Sequence, residues 1–134
     1  MKRAALAFAL SVGSLPLQGQ QPPAGKPMAY EAYCQLERTE KRTAFKSLPA
    51  EQRAQLMRTH LERWRDANKA KLNEAQLTLI KEMAAATSPA MFGGGTEAEQ
   101  AKARELIEAL ETRADSLFTN DQRRALRYDA PCAK

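Results

Sequence analysis

Apolar side chains recur at intervals of three and four residues in several stretches, the spacing that places them on one face of an α-helix. The clearest stretch comprises Met57, His60, Leu61, Trp64 and Ala67. No segment shows convincing alternation of polar and apolar residues, the pattern of a half-buried β-strand. With 6% aromatic residues, the core must be built mainly from Leu, Ala, Ile and Met. The chain is therefore predicted to be all-α, a small bundle of four to five helices.

Prolines and N-capping patterns predict where the helices begin. One helix is predicted from about Met28 to Ser47. A second is predicted after Pro49, with a break at Asn68–Lys71. A polar residue followed three positions later by Glu or Gln is the pattern of a capping box. This pattern predicts three further helix starts: Asn73 with Gln76, Thr96 with Glu99, and Thr119 with Gln122.

The later helices carry apolar faces that complete the predicted core. The face of the helix beginning at Asn73 comprises Leu77, Ile80, Met83, Ala84 and Thr87. That of the next helix comprises Ala103, Leu106, Ile107, Leu110, Ala114 and Leu117. Ser88-Pro89 stops the former helix, and residues 93–95, all glycine, are interpreted as a hinge between helical halves. A phosphate-binding Walker loop is not predicted, since its Lys-Ser/Thr is missing after the glycines.

The N-terminus has the pattern of an export signal. Lys2 and Arg3 precede a short apolar run over residues 4–12, which Gly13, Ser14 and Pro16 interrupt. That run is much shorter than the roughly 20 residues that span a bilayer. We expect an exported protein, periplasmic or secreted, without stable membrane insertion after signal cleavage. The predicted segments are a signal peptide (1–19), a Pro-rich disordered spacer (20–27) and a helical domain (28–134).

The two cysteines, Cys34 and Cys132, lie near opposite ends of the predicted domain. In an oxidising compartment such a pair predicts one disulfide. The bond would close a loop of roughly 100 residues and contribute at most about 4–5 kcal/mol to stability. The alternative is two unpaired thiols, one of them on a frayed tail.

The balance of charge argues against two classes of partner. The chain has 21 Lys+Arg and 16 Asp+Glu, a net charge of +5 that falls to +3 when Lys2 and Arg3 leave with the signal peptide. Charges alternate in sign between Glu37 and Arg42, which is typical of solvated helix faces. Nucleic-acid binding would need a concentrated basic stripe with stacking aromatics, and membrane-surface binding a purely cationic polar face. Neither pattern is present.

His60 is the only histidine, and we interpret it as a packed or hydrogen-bonded side chain. A soft metal site with Met57 or Met83 is one alternative, because thioethers and imidazole suit copper. A general base is another, but it would need an activated partner and a cleft. The sequence predicts no catalytic residue, metal site or cofactor, and the protein is expected not to be an enzyme.

Three short motifs lie between Arg42 and Ile80: Arg42-x-Ala44-Phe45-x-x-Leu48, Glu51-x-Arg53-x-x-Leu56-x-x-x-His60-Leu61 and Leu72-x-x-x-Gln76-x-x-x-Ile80. In these motifs the chain resembles the helical region of the bacteriocin fulvocin C-related proteins, an exported bacterial family. The resemblance covers less than half of the chain, and the family's Cys-rich tail is absent. It implies a role in antagonism, as a toxin precursor or an associated factor.

Two five-residue segments begin with an apolar residue and end in Gln: Leu72-Asn73-Glu74-Ala75-Gln76 and Phe118-Thr119-Asn120-Asp121-Gln122. They are similar to the LTxxQ boxes of the Spy/CpxP-type periplasmic helical proteins, with a weaker echo in Leu48-Pro49-Ala50-Glu51-Gln52. Capping physics alone also produces this pattern. The resemblance implies an ATP-independent chaperone or envelope-stress role.

Binding of a protein or peptide partner is the function that these observations favour. The candidate contacts are Met57, Leu61, Trp64, Met91 and Phe92, since Met and aromatic side chains form adaptable contacts of large area. Alternatively, all of these except Met91 and Phe92 belong to the core. The alternative function is the antagonism that the first resemblance implies.

Overall fold

The computed structural model describes residues 28–133, and within this range the chain is helical with no β-strand. The predicted signal peptide and spacer lie outside the described residues. The α-helices are α1 Tyr30–Cys34, α2 Arg38–Ser47, α3 Ala50–Ala67, α4 Glu74–Ala86, α5 Glu97–Leu117 and α6 Asn120–Ala125. Two 3₁₀-helices span Lys69–Lys71 and Pro89–Phe92. The all-α prediction is confirmed, and none of the described helices is long and apolar enough to cross a membrane.

Capping boxes begin α4, α5 and α6 at the predicted positions. Asn73, Thr96 and Thr119 each accept a hydrogen bond from the backbone N–H three residues on, and the side chain there accepts one from the cap residue's own N–H. These bonds satisfy N–H groups that the first turn of a helix leaves without a helical partner. Local sequence therefore sets these three boundaries.

The helix predicted from Met28 to Ser47 is instead divided into α1 and α2. Glu37 has an extended backbone (φ −77°, ψ 166°) and forms the N-cap of α2. Its N–H donates to Oε1 of Glu40 at 2.9 Å, which is half of a fourth capping box. Because the chain changes direction here, Tyr30 and Tyr33 of α1 are buried in the same cluster as Phe45 of α2.

The core consists of two clusters of buried side chains. The first lies among α3, α4, α5 and the segment after α5, and comprises Leu61, Trp64, Leu79, Ile80, Ala84, Leu110, Ala114, Phe118 and Leu126. The second comprises Tyr30, Tyr33, Phe45, Leu48 and Leu56. Because Leu56 belongs to one cluster and Leu61 to the other, α3 is the central helix of the fold.

The buried faces of α4 and α5 differ from those predicted, most clearly at Leu79 and Leu106. Leu79 has no exposed surface, although it was left out of the predicted face of α4. Leu106 is 45% exposed, although it lies on the predicted stripe of α5. The buried residues of α5 are Ala103, Leu110 and Ala114. The face of α5 that packs against the rest of the protein does not extend as far as Leu106.

The predicted disulfide between Cys34 and Cys132 is present, with the two Sγ atoms 2.11 Å and the two Cα atoms 5.6 Å apart. It joins the end of α1 to the residues that follow α6 (126–133), which we call the C-terminal segment. The linked residues are 98 positions apart, so the bond encloses all of α2 to α6 in one covalent loop.

Replacing Leu79 by Ala is expected to lower the free energy of unfolding by about 2–5 kcal/mol, because the fully buried side chain leaves a cavity. The matched control is Leu106→Ala, which changes the same side chain at an exposed position and should alter stability by less than about 0.5 kcal/mol. Urea unfolding followed by circular dichroism measures both. Equal effects of the two substitutions would contradict the described core.

Candidate functional site

A groove with two methionines in its lining lies where α3, α4, α5 and α6 come together. It has a volume of about 480 Å³ and we call it the methionine groove. Met57 of α3 and Met83 of α4 are both partly exposed and pack against the first core cluster. The groove is completed by Ala114, Leu126 and a polar rim comprising Glu111, Asp115, Asn120, Arg123, Arg124 and Arg127. Its apolar surface is therefore bordered by charge.

Arg123 and Arg124 are held by surface ion pairs, and Arg127 contacts a carboxylate that is itself buried. Arg123 lies 3.2 Å from a carboxylate oxygen of Asp115, and Arg124 is paired with Asp121 within α6. Arg127 contacts Oδ1 of Asp129 at 3.3 Å. Exposed ion pairs contribute little net free energy. The guanidinium group of Arg124 can therefore exchange its present partner for the carboxylate of a ligand at small cost, whereas Arg123 is also held by Asn120 and by the carbonyls of Asp115 and Phe118.

The five predicted contact residues lie in three different parts of the structure. Leu61 and Trp64 are 2% and 7% exposed, so they contribute to the core rather than to a contact surface. Met57 lines the methionine groove. Met91 and Phe92 lie in the 3₁₀-helix Pro89–Phe92, where the ring of Phe92 packs edge-on against Phe45 with centroids 5.5 Å apart.

Sequence reasoning missed most of the methionine groove. Met83 was predicted as part of the inner face of α4, but it is partly exposed. The arginines of the rim come from the short α6 and the residue that follows Leu126. The sequence does contain one indication of the basic rim: three arginines lie close together, Arg123 and Arg124 within α6 and Arg127 just after it.

His60 is a buried link between three parts of the fold. Its Nε2 lies 2.9 Å from the carbonyl oxygen of Ala125, which can only accept, so Nε2 carries the proton. In the neutral ring, Nδ1 then accepts from the hydroxyl of Tyr30 at 2.8 Å. Burial lowers the pKa of His60, which favours this neutral form. His60 is 1% exposed, and these two hydrogen bonds occupy both of its ring nitrogens.

At the C-terminal segment, the carboxylate of Asp129 is buried with 1% of its side chain exposed. Arg42 Nε donates to Oδ2 at 2.8 Å, and Arg38 and Arg127 lie 3.4 and 3.3 Å from the carboxylate. Burial alone would raise the pKa of Asp129, but these arginines lower it to about 2. The segment is thus anchored by a carboxylate that stays ionised near neutral pH.

Residues 93–95 form a turn stabilised by side-chain hydrogen bonds. Gly93 has a φ of +89°, which favours glycine, and the amide of Gln100 donates to the carbonyls of Gly93 and Gly94 at 3.0 and 3.1 Å. Carbonyl groups therefore face a donor here, unlike the inward N–H groups of a phosphate loop. Hinge motion at this turn stays a prediction.

Over residues 28–133, no three or more His, Cys, Asp or Glu side chains are grouped so that they could hold a metal ion. Comparison of the chain with protein-family models, with curated proteins and with solved structures finds no match. The two sequence resemblances therefore stay predictions. The features of the structure that bear on function are its grooves and the charged side chains around them.

Between pH 6.5 and 5, the free energy of unfolding is expected to decrease as the pH falls, because an unfolded His60 binds a proton that the buried ring resists. His60→Gln keeps a donor for the carbonyl of Ala125 without titrating in this range. We expect a smaller pH dependence in the variant, measured by urea unfolding at pH 7.5 and 5.

Asp129 does not interfere with this comparison, because its stabilising effect is lost only as the pH falls below about 3.8 towards 2. Identical pH dependence in the wild type and in His60→Gln would contradict the neutral, buried assignment of His60.

Proposed function

We propose that this protein is a non-enzymatic, exported binding protein that takes up segments of other polypeptides in the methionine groove. The observation that carries the proposal is the pairing of Met57 and Met83, both partly exposed, in one groove with three arginines on its rim. If Met57 and Met83 only filled the core, we would expect other side chains to cover them, but both line an open groove. Two methionines beside the rim arginines are instead suited to a ligand.

The chemistry of the groove selects the kind of segment. Thioether side chains are flexible and polarisable, so one pair can adapt to Leu, Phe or Met of a ligand. Arginines form charge-assisted hydrogen bonds with carboxylates. The preferred segment therefore has one or two apolar side chains flanked by Asp or Glu. Glu111 and Asp115 on the same rim disfavour a segment that is itself strongly acidic.

An ATP-independent chaperone role is the form of binding that we propose within this class. Such a protein must bind many clients weakly, and a methionine-lined groove is suited to that because it repacks around different side chains. The resemblance to LTxxQ-box proteins supports the same role. In this chain the Gln of one such box, Gln76, caps α4 and also donates to the carbonyl of Leu117 at 2.8 Å.

Aggregation of a urea-unfolded, cysteine-free model client is expected to be suppressed by a near-stoichiometric amount of the oxidised protein without ATP. A client without cysteine is used so that no thiol is needed and the Cys34–Cys132 bond stays intact. Met57→Gln combined with Met83→Gln should lose this effect, because the amides retain the size of the side chains but disfavour apolar contacts.

The matched control is Leu106→Gln, which removes an exposed apolar side chain from a different groove, bordered by Ala86 and Pro89. It should leave the suppression unchanged. Affinity is measured with a fluorescent ten-residue peptide that has a central Leu-Phe pair flanked by Glu, and the double variant should bind it about tenfold more weakly. No suppression by the folded, oxidised protein would overturn the chaperone role, and killing of related bacteria would then favour the antagonism implied by the fulvocin C-related motifs.

A further inference from the structure

The disulfide lies in the wall of another open groove, which shares Arg124 of α6 with the methionine groove. This groove has a volume of about 880 Å³, and we call it the disulfide groove. Cys34 and Cys132 both line it and both are partly exposed. A structural disulfide is commonly sealed within a core. Here both cysteines instead face an open groove that a small molecule can enter.

The two sulfur atoms have different surroundings. Lys41 of α2 is 3% exposed, and its Nζ lies 3.9 Å from Sγ of Cys132 while donating to the carbonyl of Ala130 at 2.9 Å. Among the described contacts, Lys41 makes no such hydrogen bond to Cys34. Burial lowers the pKa of Lys41, and the nearby Asp129 carboxylate opposes this effect by favouring the ammonium form. One end of the disulfide therefore has a cation beside it.

An adjacent cation stabilises a thiolate, and the sulfur that forms the more stable thiolate leaves faster in thiol–disulfide exchange. We propose that the Cys34–Cys132 bond is exchangeable with low-molecular-weight thiols, that the incoming thiolate attacks Cys34, and that Cys132 leaves beside Lys41. The site is thus a redox site with a fixed direction. It is independent of the methionine groove and of the function proposed for it.

The exchange proceeds in two balanced steps. In the first, a thiolate RS⁻ forms a bond to Sγ of Cys34, the Cys34–Cys132 bond breaks, and its electron pair goes to Cys132 as a thiolate. In the second, another RS⁻ attacks the sulfur of the bound R group, which releases RSSR and leaves Cys34 as a thiolate. Two external thiols are oxidised and the protein disulfide is reduced by two electrons.

The C-terminal segment stays in place after the bond opens, because other contacts also hold it. The hydroxyl of Tyr33 donates to the carbonyl of Tyr128 at 2.7 Å, and Arg42 donates to Asp129 at 2.8 Å. The ammonium of Lys41 also donates to the carbonyl of Ala130. Cys132 is therefore kept close to Cys34, so its thiolate can attack the mixed disulfide and restore the bond.

The other charged side chains of the disulfide groove come from three elements and carry both signs. They are Glu37 and Arg38 at the start of α2, Asp121 and Arg124 of α6, and Asp129 of the C-terminal segment. Asp121 is paired with Arg124, and Arg38 with Asp129. The difference between the two sulfurs consequently rests on Lys41 rather than on the general charge of the groove.

The test is to react the oxidised protein with glutathione, trap free thiols with iodoacetamide and map both cysteines by peptide mass spectrometry. We expect about tenfold more molecules with glutathione on Cys34 and alkylated Cys132 than the reverse. Equal labelling, an excess of glutathione on Cys132, or no mixed disulfide in the folded protein would each overturn the proposal. This arm needs no variant.

The role of Lys41 is tested with Lys41→Met, which should bring the ratio of the two products close to one. Lys46→Met, at an exposed position of the same helix, is the matched control and should leave the ratio unchanged. A Lys41→Met protein that is helical by circular dichroism but keeps the wild-type ratio would contradict the role of the ammonium.

Single-cysteine variants give a readout that does not depend on Lys41→Met folding. The rate of alkylation as a function of pH should show a lower thiol pKa for Cys132 in Cys34→Ser than for Cys34 in Cys132→Ser. The same pKa in both variants, or a lower one for Cys34, would overturn the proposed direction of attack.

Discussion

The docking of the C-terminal segment on α1 and α2 is the constraint on which the rest of the fold depends. Burying the carboxylate of Asp129 would be costly without partners, and Arg38, Arg42 and Arg127 provide them. The ring of Tyr128 stacks on that of Phe45 with centroids 4.3 Å apart, and so covers the second core cluster. With only five buried members, that cluster needs the segment as its cover.

The methionine groove and the disulfide groove meet at α6 and the residues that follow it. Arg124 of α6 lines both the methionine groove and the disulfide groove, and Arg127 lines the first while contacting Asp129 beside the second. His60 of α3 holds the end of α6 in place by a hydrogen bond to the carbonyl of Ala125. The rim of the methionine groove is therefore positioned by contacts with α3, α5 and the segment after α6.

The features that the sequence predicts correctly are those that short segments of the chain or its composition determine. The capping boxes at Asn73, Thr96 and Thr119, the stop before Pro89 and the disulfide are local or compositional signals, and the structure confirms them. The break at Glu37 was missed although Glu37 and Glu40 have the spacing of a capping box, because Glu is not among the preferred N-cap residues. The exposure of Leu106 and the grooves were missed for a different reason: they depend on how wide each helix contact is and on where α6 packs, which a helical repeat does not contain.

The covalent loop from Cys34 to Cys132 includes the turn at residues 93–95. A protease that cut this turn would produce two fragments, one carrying α1 to α4 and the other α5, α6 and the C-terminal segment. The fragments would stay joined through the disulfide, and each would retain its share of the first core cluster. Cleavage at the glycines would thus convert a single chain into a linked heterodimer whose halves separate only after reduction.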